Sequence, residues 1–160
     1  MYIIMLDGDR DMSTLTKFKE LDEVYRLYGV AAHHCYNIEL SCAFLMRGPK
    51  WKKEKALTAE KVEDIGKKLD RCTLGSLICM IKSNFDLTSE GERYFEDILK
   101  QRNYLIHEFF GKHSKEMNAQ DTLLNIQKEL RQLVVYLQEA SAVLQEWSGI
   151  TKFKSTVLKN

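Results

Sequence analysis

The sequence predicts an all-α protein, a single antiparallel bundle of four to five helices. One proline and eight glycines among 160 residues leave few of the turn signals that a sandwich or barrel needs. Apolar residues recur at steps of three and four over long stretches, as on the buried face of a helix. A chain of this length can bury one hydrophobic core, so residues 1–160 are expected to form one domain.

Charge and hydropathy narrow the classes of function. The formal net charge is +1, so binding of nucleic acid would need a local basic patch. The first residues are apolar for six positions and then acidic, which does not fit a secretory signal. No stretch approaches the roughly 20 apolar residues that cross a bilayer. We expect a cytoplasmic protein without membrane contacts, with loosely held ends at residues 1–12 and 149–160.

The first long helix is predicted over Ser13–Met46, where apolar residues follow helical spacing. Its apolar positions are Leu21, Val24, Tyr25, Tyr28, Ala31, Ala32, Cys35, Ile38, Cys42 and Leu45. Gly29 is a place where this helix could bend, and Gly48-Pro49 is predicted to end it. The basic segment 47–55 would then connect two helices.

Shorter helices are predicted next. Thr58 can cap a second helix that runs to about Arg71. The apolar residues from Leu69 to Ile81 belong either to that helix or to one that restarts at Thr73. A turn is predicted at Asn84–Thr88.

The following helix begins with Ser89-Glu90-Gly91-Glu92, which fits a capping box. In that motif Ser89 is the N-cap, and Glu92 reaches back to its amide. The helix is predicted to run to about Phe110 and to stop at Gly111.

Asn118 and Asp121 are predicted to open the last long helix, and Ser148-Gly149 to end it. Its apolar residues step by three and four without a break, which is the spacing of a helix packed in a bundle. They are Leu123, Ile126, Leu130, Leu133, Leu137, Ala140, Leu144 and Trp147.

One position interrupts the apolar face of the helix over residues 89–110. That face consists of Phe95, Ile98, Leu99, Leu105, Ile106 and Phe109. At about 100° per residue Arg102 points along its middle, where an unpaired guanidinium costs several kcal/mol. Asn103 and His107, four residues apart, lie on the flank of the same face, as does Glu96. The helix therefore presents Arg, Asn and His at a border where a cleft or a symmetric partner could meet it.

Structural interpretations of these residues stay open at this point. Arg102 could extend past its own aliphatic stem to solvent, or could pair with a core glutamate such as Glu39. His107 could be a border histidine with its hydrogen bonds satisfied inside the chain.

The segment R-N-Y-L-I-H, Arg102 to His107, resembles the R-x4-6-H motif of the HEPN superfamily, the higher eukaryote and prokaryote nucleotide-binding domains. Members of that family often carry Asn directly after the Arg, as Asn103 does. They are helical bundles with the motif on a late helix. The stretches Thr73–Lys82 and Leu99–Phe110 look like small bacterial and phage proteins of this type.

The resemblance implies a metal-independent endoribonuclease without a cofactor, acting on RNA as a toxin or phage-defence effector. It also implies a homodimer in which both motifs share one composite cleft. His107 would be the acid or base acting on the ribose 2′-hydroxyl or on the leaving oxygen. Arg102 would bind the scissile phosphate and stabilise its developing charge, and Asn103 would orient the phosphate or the histidine.

The chain departs from some family members at one position. Toxins that pair with a small nucleotidyltransferase antitoxin typically have a tyrosine two residues after the His, where this chain has Phe109. Silencing by nucleotidylation at that position is therefore not expected, although a protein antitoxin or other partner fits the family. The alternative function is a non-catalytic dimeric helical module that binds RNA or a partner protein. The third possibility is a helical bundle with a purely structural role.

A second candidate RNA-binding segment surrounds Trp51. Its basic residues are Arg47, Lys50, Lys52, Lys53 and Lys55. The cations could bind an RNA backbone while the tryptophan stacks on a base. The alternative is a solvated connection between helices with a half-buried tryptophan.

The cysteines and histidines do not predict a metal site. The four cysteines form two pairs seven residues apart, Cys35 with Cys42 and Cys72 with Cys79. This spacing puts each pair on one helix face as small core residues, and no C-x-x-C occurs. His33 and His34 point about 100° apart, so they rarely chelate together. His113 is expected near the end of the motif-bearing helix.

Overall fold

Two long helices, α1 (Met12–Lys52) and α6 (Gln120–Ser148), form the scaffold of the bundle. The computed structural model describes residues 12–53 and 58–149. Lys17 contacts Asn118, Glu20 contacts Gln127 and Glu23 contacts Arg131, so α1 and α6 run in the same direction. The prediction of an all-α bundle is confirmed. The ends expected to be loosely held lie outside the described residues, apart from Met12 and Gly149.

Helix α1 continues through Gly48-Pro49 to Lys52, so the predicted end at Met46 is wrong. Pro49 has no N–H to donate to the carbonyl four residues back, so the last turn of α1 forms with one backbone hydrogen bond fewer. Contacts with neighbouring elements hold this end of the helix. Arg47 Nη2 lies 3.3 Å from Asp70 Oδ1, and Lys53 Nζ donates to Asn84 Oδ1 at 2.9 Å.

Two short helices follow, α2 (Ala59–Leu69) and α3 (Leu74–Asn84). The Thr58 side chain accepts a hydrogen bond from the Lys61 amide, and the Thr73 side chain accepts one from the Ser76 amide. Both residues are therefore N-caps. Of the two alternatives, the restart at Thr73 is the one observed. Cys72 lies between the helices, so the prediction that it shares a helix face with Cys79 is wrong.

The motif helix, as we name residues 89–113, consists of α4 (Ser89–Asn103), a π-helical turn (Tyr104–Glu108) and α5 (Phe109–His113). It runs past Gly111, where its end was predicted, because Gly111 keeps a negative φ and continues the helix. Its N-cap is Thr88, whose hydroxyl accepts from the Gly91 amide at 3.1 Å. The predicted cap, Ser89, is the first helical residue instead. The motif helix is antiparallel to α1, since Phe110 contacts Tyr25 while Arg102 contacts Glu39.

The last helix begins at Gln120 rather than at Asn118 or Asp121. Asn118 lies in a preceding 3-10 turn, Glu116–Asn118, and the N-cap residue Ala119 has no capping side chain. The helix ends as predicted at Gly149, which has a φ of 73° that favours glycine.

The core lies between α1, α6, α3 and the motif helix. Its fully buried large side chains include Phe95, Phe109, Ile38, Met46, Leu74, Leu77, Ile81, Ile98, Leu105, Leu123, Ile126 and Leu130. Cys35 and Cys42 are buried as predicted, whereas Cys79 is exposed. The α6 seam is buried as far as Leu144, but Trp147 is 56% exposed, contrary to the prediction. In the described part of the chain, no helix combines the length and apolar character of a membrane span.

The position of the N-cap can be tested by substitution. Thr88→Ala removes the observed capping hydrogen bond and should lower the free energy of unfolding by about 1 kcal/mol. Ser89→Ala is the matched control, and its effect should stay within about 0.5 kcal/mol. Urea titration followed by circular dichroism measures both. A larger loss for Ser89→Ala would show that the capping box predicted from the sequence is the one that forms.

Candidate active site

The structure brings Arg102, Asn103 and His107 into direct contact. Arg102 Nη1 lies 3.1 Å from His107 Nε2 and donates to Asn103 Oδ1 at 3.2 Å. A guanidinium can only donate, so the first contact requires an Nε2 that carries no proton. The imidazole is therefore arranged as a proton acceptor. His107 is exposed, while Arg102 and Asn103 are half-buried.

The π-helical turn explains how residues five positions apart meet. The amide of Phe109 donates to the carbonyl of Tyr104, a spacing of five residues in place of the usual four. In a regular α-helix, Arg102 and His107 would point about 140° apart at 100° per residue. The wider turn reduces this angle. Regular α-helical spacing places His107 above Asn103, so it does not predict the contact between His107 and Arg102.

Glu39 on α1 balances the charge of Arg102. Arg102 Nε donates to Glu39 Oε1 at 2.9 Å, and Nη2 lies 2.8 Å from the same oxygen. The side chains are 21% and 30% exposed, so the pair lies at the edge of the core. The compensation expected for a guanidinium on an apolar face is therefore Glu39, one of the partners considered above. This pairing leaves the contact with His107 intact.

Cys35 lies one turn before Glu39 on α1 and is buried. Burial raises the pKa of its thiol to about 11, although Arg102 acts in the opposite direction. At neutral pH the thiol is therefore protonated, and it is a poor nucleophile. Chemistry at this site would use the imidazole and the guanidinium.

A second polar cluster holds the start of the π-helical turn against α6, and only His113 in it was singled out from the sequence. The Tyr104 hydroxyl donates to Glu129, accepts from Lys112 Nζ at 3.0 Å and lies 3.2 Å from His113 Nε2. The buried His113 ring also contacts Glu116 through Nδ1 at 2.6 Å. Burial, followed by the hydrogen bond with Glu129, raises the pKa of Tyr104. One residue could have indicated this cluster from the sequence: Glu129 directly precedes Leu130 of the apolar α6 seam, so its carboxylate is expected near the core.

The second predicted RNA-binding segment is only partly described. Arg47 lies against α2, with its guanidinium 3.9 Å from the centre of the Phe44 ring and an ion pair to Asp70. Lys53 is exposed and binds Asn84. The side chains of Lys50, Trp51 and Lys52, and the whole of Lys55, lie outside the described residues.

The two histidines of α1, His33 and His34, contact residues of their own helix. His33 Nε2 lies 3.2 Å from Asn37 Nδ2, and the two rings of His33 and His34 are 5.9 Å apart. Within residues 12–53 and 58–149, no group of three or more His, Cys, Asp or Glu side chains is arranged to hold a metal ion.

Comparisons with known proteins found no match to a family model, to a curated protein or to a solved structure. The function is therefore inferred from the resemblance of the motif to the HEPN superfamily and from the geometry of the site.

The importance of the Tyr104 cluster can be measured. Tyr104→Phe deletes one hydroxyl and leaves Glu129 and Lys112 without their shared partner, so the free energy of unfolding should fall by about 1 kcal/mol or more. Tyr36→Phe is the matched control, because that ring is 61% exposed. Chemical denaturation of the two variants gives the comparison. Equal stability of both would mean that the cluster contributes nothing to the fold.

Proposed function

We propose that this chain is a metal-independent endoribonuclease of the HEPN type, a cytoplasmic toxin or defence effector that acts as a homodimer. The observation that supports this proposal is the contact of Arg102 with both Asn103 and His107 at an accessible border of the bundle. An imidazole that accepts a proton beside a permanent cation is what cleavage of an RNA phosphodiester requires. A protein antitoxin or another protein partner would regulate such an activity.

The proposed reaction uses the 2′-hydroxyl of RNA as the nucleophile. His107 Nε2 takes the hydroxyl proton, and the 2′-oxygen attacks the adjacent phosphorus. The bond from phosphorus to the 5′-oxygen breaks, and that oxygen takes a proton from water, whose hydroxide then recovers the proton held by His107 Nε2. The products are a 2′,3′-cyclic phosphate and a 5′-hydroxyl. Arg102 neutralises the charge that develops on the phosphate oxygens, and Asn103 orients the guanidinium.

An apolar patch beside the motif supports the dimer. Ile106, the residue before His107, is 38% exposed, and Tyr25 on α1 is 52% exposed. Phe110, four residues after Ile106 on the motif helix, packs against α1 with ring centres 5.9 Å from Tyr25 and 4.6 Å from Tyr28. A two-fold axis through this patch would cover it and bring two copies of the motif together.

One observation favours the second candidate, a non-catalytic helical module that binds RNA or a protein. Two nitrogens of Arg102 are already bound by Glu39, so part of its capacity for phosphate is used inside the chain. In such a module, RNA would bind without being cleaved, and binding would survive the loss of His107.

Removal of the imidazole separates the two candidates. His107→Ala should lower the rate of RNA cleavage about 100-fold or more, because the general base is lost. His33→Ala removes an exposed histidine of α1 and should cleave at the parent rate. Cleavage of a labelled single-stranded RNA in the presence of a chelator gives both rates. Unchanged cleavage by His107→Ala would rule out the proposed mechanism, while retention of RNA without cleavage by the parent would favour the module.

The dimer can be tested at Ile106. Ile106→Asp places a charge in the proposed interface and should convert the dimer to a monomer, with a parallel loss of cleavage. Val135→Asp on α6 is the control, because Val135 is 54% exposed and lies outside the patch. Sedimentation velocity reports the oligomeric state. A parent that sediments as a monomer at all concentrations would contradict the composite site.

A further inference from the structure

A cleft of about 170 Å³ lies between α1 and the segment that joins α2 to α3. We name it the Glu39 cleft. Tyr36, Glu39 and Ala43 line it from α1, and Leu69, Asp70 and Leu77 from the opposite side. We propose that the Glu39 cleft binds one unpaired RNA base that carries an amino group, with guanine preferred, next to the phosphate at Arg102. This inference rests on the proposed ribonuclease and names the substrate position that it would select.

The location of the cleft ties it to the candidate active site. Glu39 lines the cleft and also binds Arg102, which in turn lies 3.1 Å from His107. One guanidinium therefore separates the imidazole from the wall of the cleft. A strand with its phosphate at Arg102 would have a neighbouring base within reach of this cavity.

Each of the two carboxylates that line the cleft is ion-paired with an arginine outside its lining. Asp70 lies 3.3 Å from Arg47, and Glu39 lies 2.8 Å from Arg102. The two ion pairs cancel their charges, so the carboxylates do not repel an RNA strand as two free anions would. Arg47, a residue predicted from the sequence to bind RNA, thus binds one lining carboxylate of the cleft, and Arg102 of the motif binds the other.

The carboxylates of Glu39 and Asp70 can accept hydrogen bonds from a ligand but cannot donate them. Both Arg102 contacts use Glu39 Oε1, and Arg47 uses Asp70 Oδ1, so among the described contacts Oε2 and Oδ2 are left for a ligand. Ionised carboxylates only accept hydrogen bonds. Guanine presents two adjacent donors on its Watson–Crick edge, N1–H and the 2-amino group, whereas cytosine and adenine each present one amino group and uracil presents one N3–H. Guanine is therefore expected to bind most tightly, with cytosine, adenine and uracil below it.

The volume of the cleft suits one base rather than a whole nucleotide. Its volume is about 170 Å³, below the roughly 300–1,000 Å³ of pockets that hold whole drug-sized ligands. Leu69 and Leu77 supply apolar walls, and Tyr36 at the rim is 61% exposed. Bases of single-stranded RNA stack on such exposed aromatic rings. An unpaired base can enter the cleft, while a base within a duplex cannot.

The probes are the 3′-monophosphates of guanosine, cytidine, adenosine and uridine, titrated into the full chain and followed by NMR. We expect the guanosine nucleotide to bind at least about tenfold more tightly than the uridine nucleotide. Asp70→Asn replaces an acceptor by an amide and should remove most of that preference. Tyr36→Leu should weaken all four nucleotides about fivefold or more.

Matched controls are available on the same helices. Asp64→Asn removes an exposed α2 carboxylate that is ion-paired with Lys68, and Phe18→Leu removes an exposed aromatic ring of α1 outside the cleft. Both should bind nucleotides like the parent. Asp70 is 48% exposed, so its variant should fold; if it does not, Tyr36→Leu decides the question.

The outcomes distinguish this inference from the proposed function, because RNA cleavage is measured on the same preparations. Equal binding of the four nucleotides, no binding, or a preference that survives Asp70→Asn and Tyr36→Leu would overturn the base site. If the parent then still cleaves RNA in a His107-dependent manner, the proposed ribonuclease activity is kept and only the base site is rejected. A parent that ranks the nucleotides as expected without cleaving RNA would keep the base site and reject the ribonuclease.

Discussion

The Arg102–Glu39 ion pair is the interaction on which the arrangement of the site depends. It joins residues 63 positions apart and fixes how the motif helix is rotated against α1. An exposed ion pair contributes about 0–1 kcal/mol, and breaking a buried one costs about 3–5 kcal/mol. This pair, partly exposed at the edge of the core, lies between these limits. Its larger effect is geometric, since it sets the direction in which the rest of the guanidinium points.

A second constraint acts on the same helix from the opposite side. The π-helical turn begins at Tyr104, and the hydroxyl of that residue is bound by Glu129 and Lys112. Departures from α-helical geometry persist where surrounding contacts hold them, and single π-helical turns are frequent at functional sites. Glu39 on α1 binds Arg102, and Glu129 on α6 binds Tyr104, two residues further along the motif helix. Both long helices therefore hold the start of the turn that brings His107 to Arg102.

The features that depend on residue spacing and local chemistry could be predicted from the sequence. Helical periodicity predicted the long helices, Thr58 and Gly149 marked element ends, and an arginine on an apolar face predicted that a partner must exist. Features that depend on contacts between elements could not be read in this way. Helix α1 runs past Pro49 to Lys52, and Arg47 and Lys53 at this end bind distant residues. The π-helical turn has no local signature, and its contacts lie as far away as Glu129, so the meeting of Arg102 with His107 was not foreseeable from α-helical spacing.

The N–H groups of Arg102 are shared among three partners, and this sharing affects how a phosphate could bind in the proposed reaction. A guanidinium has five N–H groups; Nε and one N–H of Nη2 face Glu39, and Nη1 faces Asn103 and His107. A phosphate that binds end-on to Nη1 and Nη2 can leave the Glu39 contact in place, but it takes Nη1 away from His107. The Nε2 atom is then free to accept the proton of the 2′-hydroxyl. Binding of the phosphate and release of the base would thus be one event, and Glu39 would hold the guanidinium in position throughout.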